Sequence, residues 1–207
     1  MQTTHPLPTS PPPQESPSPV PPSATARERS WVPVRSLTSR HRDRLREHLL
    51  ALDEHDRYLR FGFSATDTQI VHYTDTLDFD RDEVFGIFNR RLELIAMAHL
   101  AYAPAPQIKG QAAMAEFGVS VSKHARGRGL GARLFDHAIL HARNRHISKL
   151  FIYALSENSA MLKIASNAGA TFERAGSESE AWLTLPPDDI ASQVGEIVES
   201  HGPSLPS

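Results

Sequence analysis

Val119-Ser-Val-Ser-Lys-His-Ala-Arg-Gly-Arg-Gly-Leu-Gly-Ala-Arg-Leu134 is where the chain changes period. Up to it, Ala115, Phe117, Val119 and Val121 alternate with Glu116, Gly118, Ser120 and Ser122, the two-residue repeat of a strand whose faces differ. After it, Leu130, Leu134, Ala138 and Ala142 recur every four residues, and Phe135 and Ile139 widen the stripe into one face of a helix. The turn between them holds Gly127, Gly129 and Gly131, which let a backbone come close to another group, and Arg126, Arg128 and Arg133, which make the turn basic. Unbonded N–H groups at a helix start, the helix dipole and nearby guanidinium groups together attract an anion, most naturally a phosphate. The same residues could also form a plain strand-to-helix turn with solvated arginines.

Working outward, 207 residues suit one domain with appendages. The formal charge of -2 argues against a nucleic-acid partner. Without cysteine there is no disulfide framework, no thiolate metal site and no cysteine nucleophile. No apolar run is long enough to span a bilayer and no secretory leader is visible, so no membrane partner is expected and the cytoplasm is the expected compartment. His137 and His141 stand four apart on the predicted helix, but no carboxylate or histidine at matching spacing joins them, and no metal is expected.

Residues 1–28 contain nine of the sixteen prolines, between Pro6 and Pro22, mixed with Ser and Thr. Such a composition cannot bury enough apolar surface to offset its ordering entropy and predicts a disordered leader. The expected domain covers 29–187, followed by a short helix and tail over 188–207. Within the domain, a first strand is predicted at 31–35, with Pro33 marking it as an edge. Three helical pieces follow, over 40–52, over 56–61, and from after Asp67 to about Leu77. Strands at 84–88, 92–103 and 111–121 lead into the glycine turn. Then come a helix over 129–144, a buried strand at 149–155, a helix ending near Gly169, and two closing strands at 171–174 and 180–185. This order demands one parallel crossover and predicts a mixed α/β (α+β) fold. The acidic run 78–83 is a solvated turn or a lip that draws in a cationic substrate.

With this order in hand, the sequence resembles the GNAT N-acetyltransferase superfamily over about 30–185. Arg126-Gly-Arg-Gly-Leu-Gly131 matches the family's Arg/Gln-x-x-Gly-x-Gly/Ala signature directly after a strand. Asn158-Ser-Ala-Met-Leu followed by Asn167-Ala-Gly-Ala170 looks like the family's helix after the fifth strand. Asp56-Arg-Tyr-Leu-Arg-Phe61 and Ala115-Glu-Phe117 are similar to GNAT domains of the protein-lysine acetyltransferase kind. The resemblance implies a mostly antiparallel central sheet of six to seven strands, splayed between the fourth and fifth, with helices on both faces. It implies acetyl-CoA as acyl donor and an amine, small or on a protein lysine, as acceptor.

It further implies a cofactor site. The diphosphate would lie on the amides of Arg126, Gly127, Arg128, Gly129, Leu130, Gly131 and Ala132. Pantetheine would run along the backbone of Val119 and Val121, with Asn158 touching its arm. Asn158 equally suits a helix N-cap. An alkylammonium has a pKa of about 10.4 and must lose a proton before attacking a thioester, and by the family pattern Glu116 is the base. The sequence departs from the family at Ala165, where many members carry the tyrosine that protonates the departing thiolate; Tyr153, Ser159 and Ser166 are the substitutes in reach.

Two other readings compete. Gly127-Arg-Gly-Leu-Gly-Ala132 formally satisfies the dinucleotide-binding G-x-G-x-x-G/A, but five residues separate the strand from the first glycine and too little chain follows for a doubly wound sheet. A non-catalytic acyl-CoA sensor or scaffold of the same fold remains open, since fold does not fix function.

Overall fold

The computed structural model describes residues 32–106, 108, 112–175 and 178–185. The predicted leader, the start of the strand placed at 111, and the helix and tail placed over 188–207 lie outside them.

One seven-stranded sheet carries the domain. Its strands are β1 (Arg35–Leu37), β2 (Glu83–Phe88), β3 (Leu94–Tyr102), β4 (Met114–Val121), β5 (Lys149–Leu155), β6 (Thr171–Ala175) and β7 (Glu178–Thr184). They lie in the order β1-β2-β3-β4-β5-β7-β6, and only the β4–β5 pair is parallel. This is the expected mixed sheet. The first strand lies further along than the predicted 31–35. Pro33 has no N–H to give a ladder, so pairing with β2 starts at Arg35, opposite Gly86.

The helices are α1 (Arg42–Leu50), α2 (Glu54–Phe61), α3 (Asp67–Thr76), α4 (Leu130–Asn144) and α5 (Ser159–Asn167). Their ends follow from local chemistry. Asp53 accepts from the Asp56 N–H to start α2, and Gly62 closes it in the left-handed region at φ 80°. Thr66 and Gln69 form a capping box on α3.

Two apolar clusters form on opposite faces of the sheet. Leu45, Leu49 and Ile70 of α1 and α3 pack on Val84, Leu94 and Met97. Leu130, Leu134, Phe135 and Ala138 of α4, with Met161 and Ala165 of α5, pack on Phe85, Ala98, Leu100, Phe117 and Ile152. Sandwiched between these layers, β3 is an interior strand, and seven of its nine residues are buried.

The feature that makes a site is a failure of pairing. β4 and β5 pair only at Met114–Lys149, Ala115–Leu150 and Glu116–Phe151. Beyond Glu116 and Phe151 the two strands separate, while β5 stays paired with β7 as far as Leu155. The sheet therefore opens into a wedge between 117–121 and 152–155.

Candidate functional site

The hydrogen-bond phase of β4 decides what lines the wedge. The Ala103 N–H donates to the Met114 carbonyl and the Ser122 N–H to the Ile95 carbonyl. Both contacts fall on the bonded positions of the β3–β4 ladder, so Gly118 and Ser120 also turn their backbone toward β3. The intervening Phe117, Val119 and Val121 therefore turn N–H and C=O toward the open side. Val119 and Val121, picked out from the sequence, present their backbone where β5 has withdrawn. The Val121 carbonyl is already engaged, however: Arg126 Nε donates to it at 3.3 Å.

At the wide end of the wedge, a short 3-10 turn (Lys123–Ala125) leads into the glycine loop and then α4. Gly127 and Gly129 hold φ of 72° and 75°, a region costly for residues with a Cβ. A Cβ added at either would meet nothing within 4 Å. These two glycines thus serve the turn's backbone and leave open space over it. Gly131 has a different role: its added Cβ would lie 3.3 Å from Ile164 Cδ1, so it allows α4 to approach α5. The first backbone bond of α4 runs from the Arg133 N–H to the Gly129 carbonyl, and no side chain caps the helix. Among the described residues no acceptor is recorded for the N–H groups of residues 127–132, so the cradle required for an anion is present and unfilled by the fold.

The arginines divide unequally. Arg126 NH2 lies 2.5 Å from Oδ2 of Asp56, a buried carboxylate in α2. Its guanidinium therefore clamps the loop to α2 and to the end of β4 rather than standing free over the loop. Arg128 is exposed and lies in the loop itself. Asn158 is the N-cap of α5, accepting from the Met161 N–H at 3.2 Å, so its oxygen is engaged in the fold while the arm that would touch a ligand is its amide nitrogen.

Glu116 is exposed and lies in the last paired row before the strands part. That row runs Ala101, Glu116, Phe151, Trp182 across four strands, and the Phe151 and Trp182 rings are 4.7 Å apart. Glu116, Phe151 and Trp182 line a depression of about 280 Å³. Of the three possible substitutes for the missing tyrosine, Ser159 and Ser166 are exposed on α5. Tyr153 is half-buried on β5, and a Cβ at Gly62 would come within 2.7 Å of its Cε1, so its ring lies against the end of α2. Ala165 is buried in the core beneath α5.

Two rows from Glu116, where His99 pairs with Gly118, lies a polar group that sequence reasoning missed. His99 Nε2 is 3.1 Å from Asp82 Oδ2, His99 Nδ1 is 2.8 Å from the Tyr73 hydroxyl, and Arg60 NH2 donates to that hydroxyl at 3.0 Å. Burial, aided by the Arg60 charge, holds the His99 pKa below its ordinary value, so the ring is neutral near pH 7. Its Nε2–H then donates to Asp82, and Nδ1 accepts from Tyr73. Burial pushes the Tyr73 phenol up, which keeps it protonated. Burial opposes ionisation of Asp82, but the bonds from Arg81, the Tyr102 N–H and His99 outweigh it and keep its carboxyl below the usual range.

These bonds also correct the reading of the acidic run. Asp78 caps its own turn through the Asp80 and Arg81 N–H groups, and Asp82 is spent on Arg81, Tyr102 and His99. Glu83 binds His141 at 2.9 Å and Arg145 at 3.1 Å. The run is thus divided: Asp78 and Asp80 stay exposed on a turn, as a solvated turn would have them, while Asp82 and Glu83 are bonded into the fold. Nearby, the His137 ring stands edge-on to Phe85 at 4.7 Å. Among the described residues no group of three His, Asp or Glu is arranged to hold a metal. Nor is any helix among them long and apolar enough to cross a membrane.

No curated protein matches the chain significantly. Among solved structures, the GNAT domain of S. lividans PAT superposes with a TM-score of 0.61 at 23% identity, over 73% of this chain and 89% of that one. YncA of Salmonella typhimurium, solved with its cofactor acetyl-CoA, gives 0.56 at 14% identity over 77% and 97%. The cAMP-binding acyltransferase of Mycobacterium smegmatis gives 0.51 at 18% over 82% of this chain but 50% of that one. At these identities the likeness is one of fold. The profile of the Acetyltransferase (GNAT) family matches residues 46–169, which run from α1 through the wedge and the glycine loop to the end of α5, and on that match the chain belongs to the GNAT acetyltransferase family.

Proposed function

We propose that this protein moves an acetyl group from acetyl-CoA to an amine, with Glu116 as general base. The observation that carries the reading is the juxtaposition of three things along β4. A carboxylate stands where pairing with β5 ends, an unpaired strand edge follows it, and a helix start with unbonded amides closes the run. YncA, of the same fold, was solved with acetyl-CoA.

In this reading the amides of 127–132 and the Arg128 guanidinium receive the diphosphate. The backbone of Val119 and the Val121 N–H hold the pantetheine arm, and the Asn158 amide reaches it from the far wall. Acetyl-CoA supplies an activated acyl carbon and a good leaving group, a thiol whose pKa is about 8.5. The chain's own residues do the rest. Glu116 takes one proton from the ammonium, directly or through one water, and the freed nitrogen pair forms the N–C bond as the C–S bond breaks. The departing thiolate keeps the C–S electron pair and takes up the second proton that the acylated nitrogen sheds, relayed by water or by the Tyr153 hydroxyl, so that a neutral amide and a free thiol result.

Titration of the full chain with acetyl-CoA by calorimetry, followed by thiol-release assays over amines, tests this. Saturable binding with amine-dependent thiol release supports it. Binding without release on any amine would instead make the protein a sensor of acyl-CoA, a reading for which the absence of a phenol at Ala165 is the supporting observation.

A further inference from the structure

Arg60 is a charged side chain without a counter-charge. It comes from the last turn of α2 and lies flat on the strand at Gly118: a Cβ there would fall 2.6 Å from Arg60 NH1, 2.7 Å from Cζ and 2.8 Å from NH2. Its ring neighbours are Phe61 and Tyr73, with Cζ 5.1 and 5.6 Å from their centroids. NH2 donates to the Tyr73 hydroxyl, whereas Nε is buried with no acceptor, and no carboxylate lies within ion-pair distance among the described residues. A guanidinium presents five donors in a planar fork suited to a carboxylate, and leaving a buried donor unpaired is costly.

Glu116 lies on the same face, two residues back along β4 from Gly118 and so about 7 Å away along the strand. Glu116 and Arg60 do not pair. An unpaired acid, exposed, and a guanidinium with an unused Nε donor thus stand on one face of β4. Beyond Glu116, on the side away from Arg60, lies the depression floored by Phe151 and Trp182.

We infer that Arg60 is an anion-recognising residue of the acceptor site, so that the amine acetylated here carries a carboxylate close to its nitrogen. The ammonium of such a zwitterion meets Glu116, its carboxylate meets Arg60, and its side chain lies over Phe151 and Trp182. The glycine at 118 follows from this, because any side chain there would displace the fork. Tyr73, held by His99 and Asp82, fixes the guanidinium in position from behind. The inference rests on the acetyl-transfer reading above and narrows its acceptor to amino acids and their close relatives, as against protein lysines or polyamines, which carry no such anion.

The test uses the full chain with acetyl-CoA and matched acceptors: standard L-amino acids, their α-amides, and putrescine as an amine without an anion. The expected result is a preference in kcat/KM of about tenfold or more for the best free acid over its own amide, as for a site built to bond a group the competitor lacks. Arg60→Gln is expected to collapse that acid-to-amide ratio toward one. Gly118→Ala, which keeps the charge but pushes the fork off the strand, is expected to do the same, and it covers the case in which Arg60→Gln fails to fold. Equal rates for acid and amide in the wild type, or a preserved ratio in both variants, would overturn the inference while leaving acetyl transfer standing. Exclusive use of putrescine-like amines would overturn it likewise. Thiol release with none of these amines would overturn the inference; release on then adding a lysine-rich protein would leave acetyl transfer standing, and no release with that either would remove the acetyl-transfer reading itself.

Discussion

Arg126 and Asp56 form an ion pair at 2.5 Å that ties the glycine loop to α2, with the carboxylate buried and the guanidinium still 44% exposed. The same guanidinium reaches the Val121 carbonyl. The arginine that leads the family signature therefore has its charge committed inside the fold, whereas its neighbour Arg128 is exposed and pairs with no carboxylate among the described residues.

Binding and stability should accordingly separate between the two arginines. Arg128→Glu is expected to weaken acetyl-CoA binding by about 1–3 kcal/mol, and less so as salt rises, with the thermal midpoint nearly unchanged. Arg126→Ala is expected to lower stability by about 1–2 kcal/mol, since it strands a buried carboxylate whose partner was partly screened by solvent. Calorimetric titration and urea unfolding of both variants check this. Equal losses of affinity would show that both side chains serve the ligand.

The glycines should differ in the same way. Gly127→Ala and Gly129→Ala put a Cβ on left-handed backbone with open space around it, at a cost of about 1 kcal/mol each and with no steric repair available. Gly131→Ala stays in helical backbone but pushes against Ile164. Its cost should vanish in the double variant with Ile164→Val, whereas the cost of Gly127→Ala should not. Chemical denaturation of the set measures this.

Removing the carboxylate of Glu116 should act on chemistry rather than on the cofactor. Glu116→Gln is expected to lower kcat by about 10²–10⁴-fold and to leave the dissociation constant of acetyl-CoA within a factor of two. The rate that remains should climb with pH as the acceptor amine deprotonates by itself. A wild-type rate in the variant would place the base elsewhere.

A fourth expectation concerns His48, which stitches α1 to the sheet. Its Nδ1 faces the Leu94 carbonyl at 3.0 Å and its Nε2 meets the Ser120 hydroxyl at 2.9 Å. Burial lowers its pKa from 6.5 to about 4. The folded state thus binds fewer protons than the unfolded one between these values. The stabilising contribution is complete above pH 6.5 and is lost as pH falls toward 4, by roughly 3 kcal/mol in all. His48→Gln removes the titration, so its unfolding free energy should fall less than that of the wild type over this interval. Parallel slopes in urea unfolding would contradict the assignment.

Much of this was legible beforehand because it is local. Strand and helix periods change at the glycine loop, and the backbone there follows from residues within a few positions of one another. The same holds for the caps at Thr66 and Asn158, where donor and acceptor are three residues apart. The position of Glu116 on its strand is likewise a matter of alternation.

Other features are fixed by groups far apart in the chain, and no spacing announces them. Gly118 reads as an ordinary strand glycine until Arg60, fifty-eight residues earlier, is found lying on it. Asp82 and Glu83 read as solvent-facing until His99, His141 and Arg145 arrive to bond them. Arg126 reads as a solvated cation of the loop until Asp56 is found paired with it. Sequence alone determined the order of elements, the sheet class and the glycine turn between strand and helix, because backbone preference and period act over a few residues. Which charges are left over for a ligand was decided only by tertiary packing, because a charge is free or spent according to what the fold brings within about 4 Å of it.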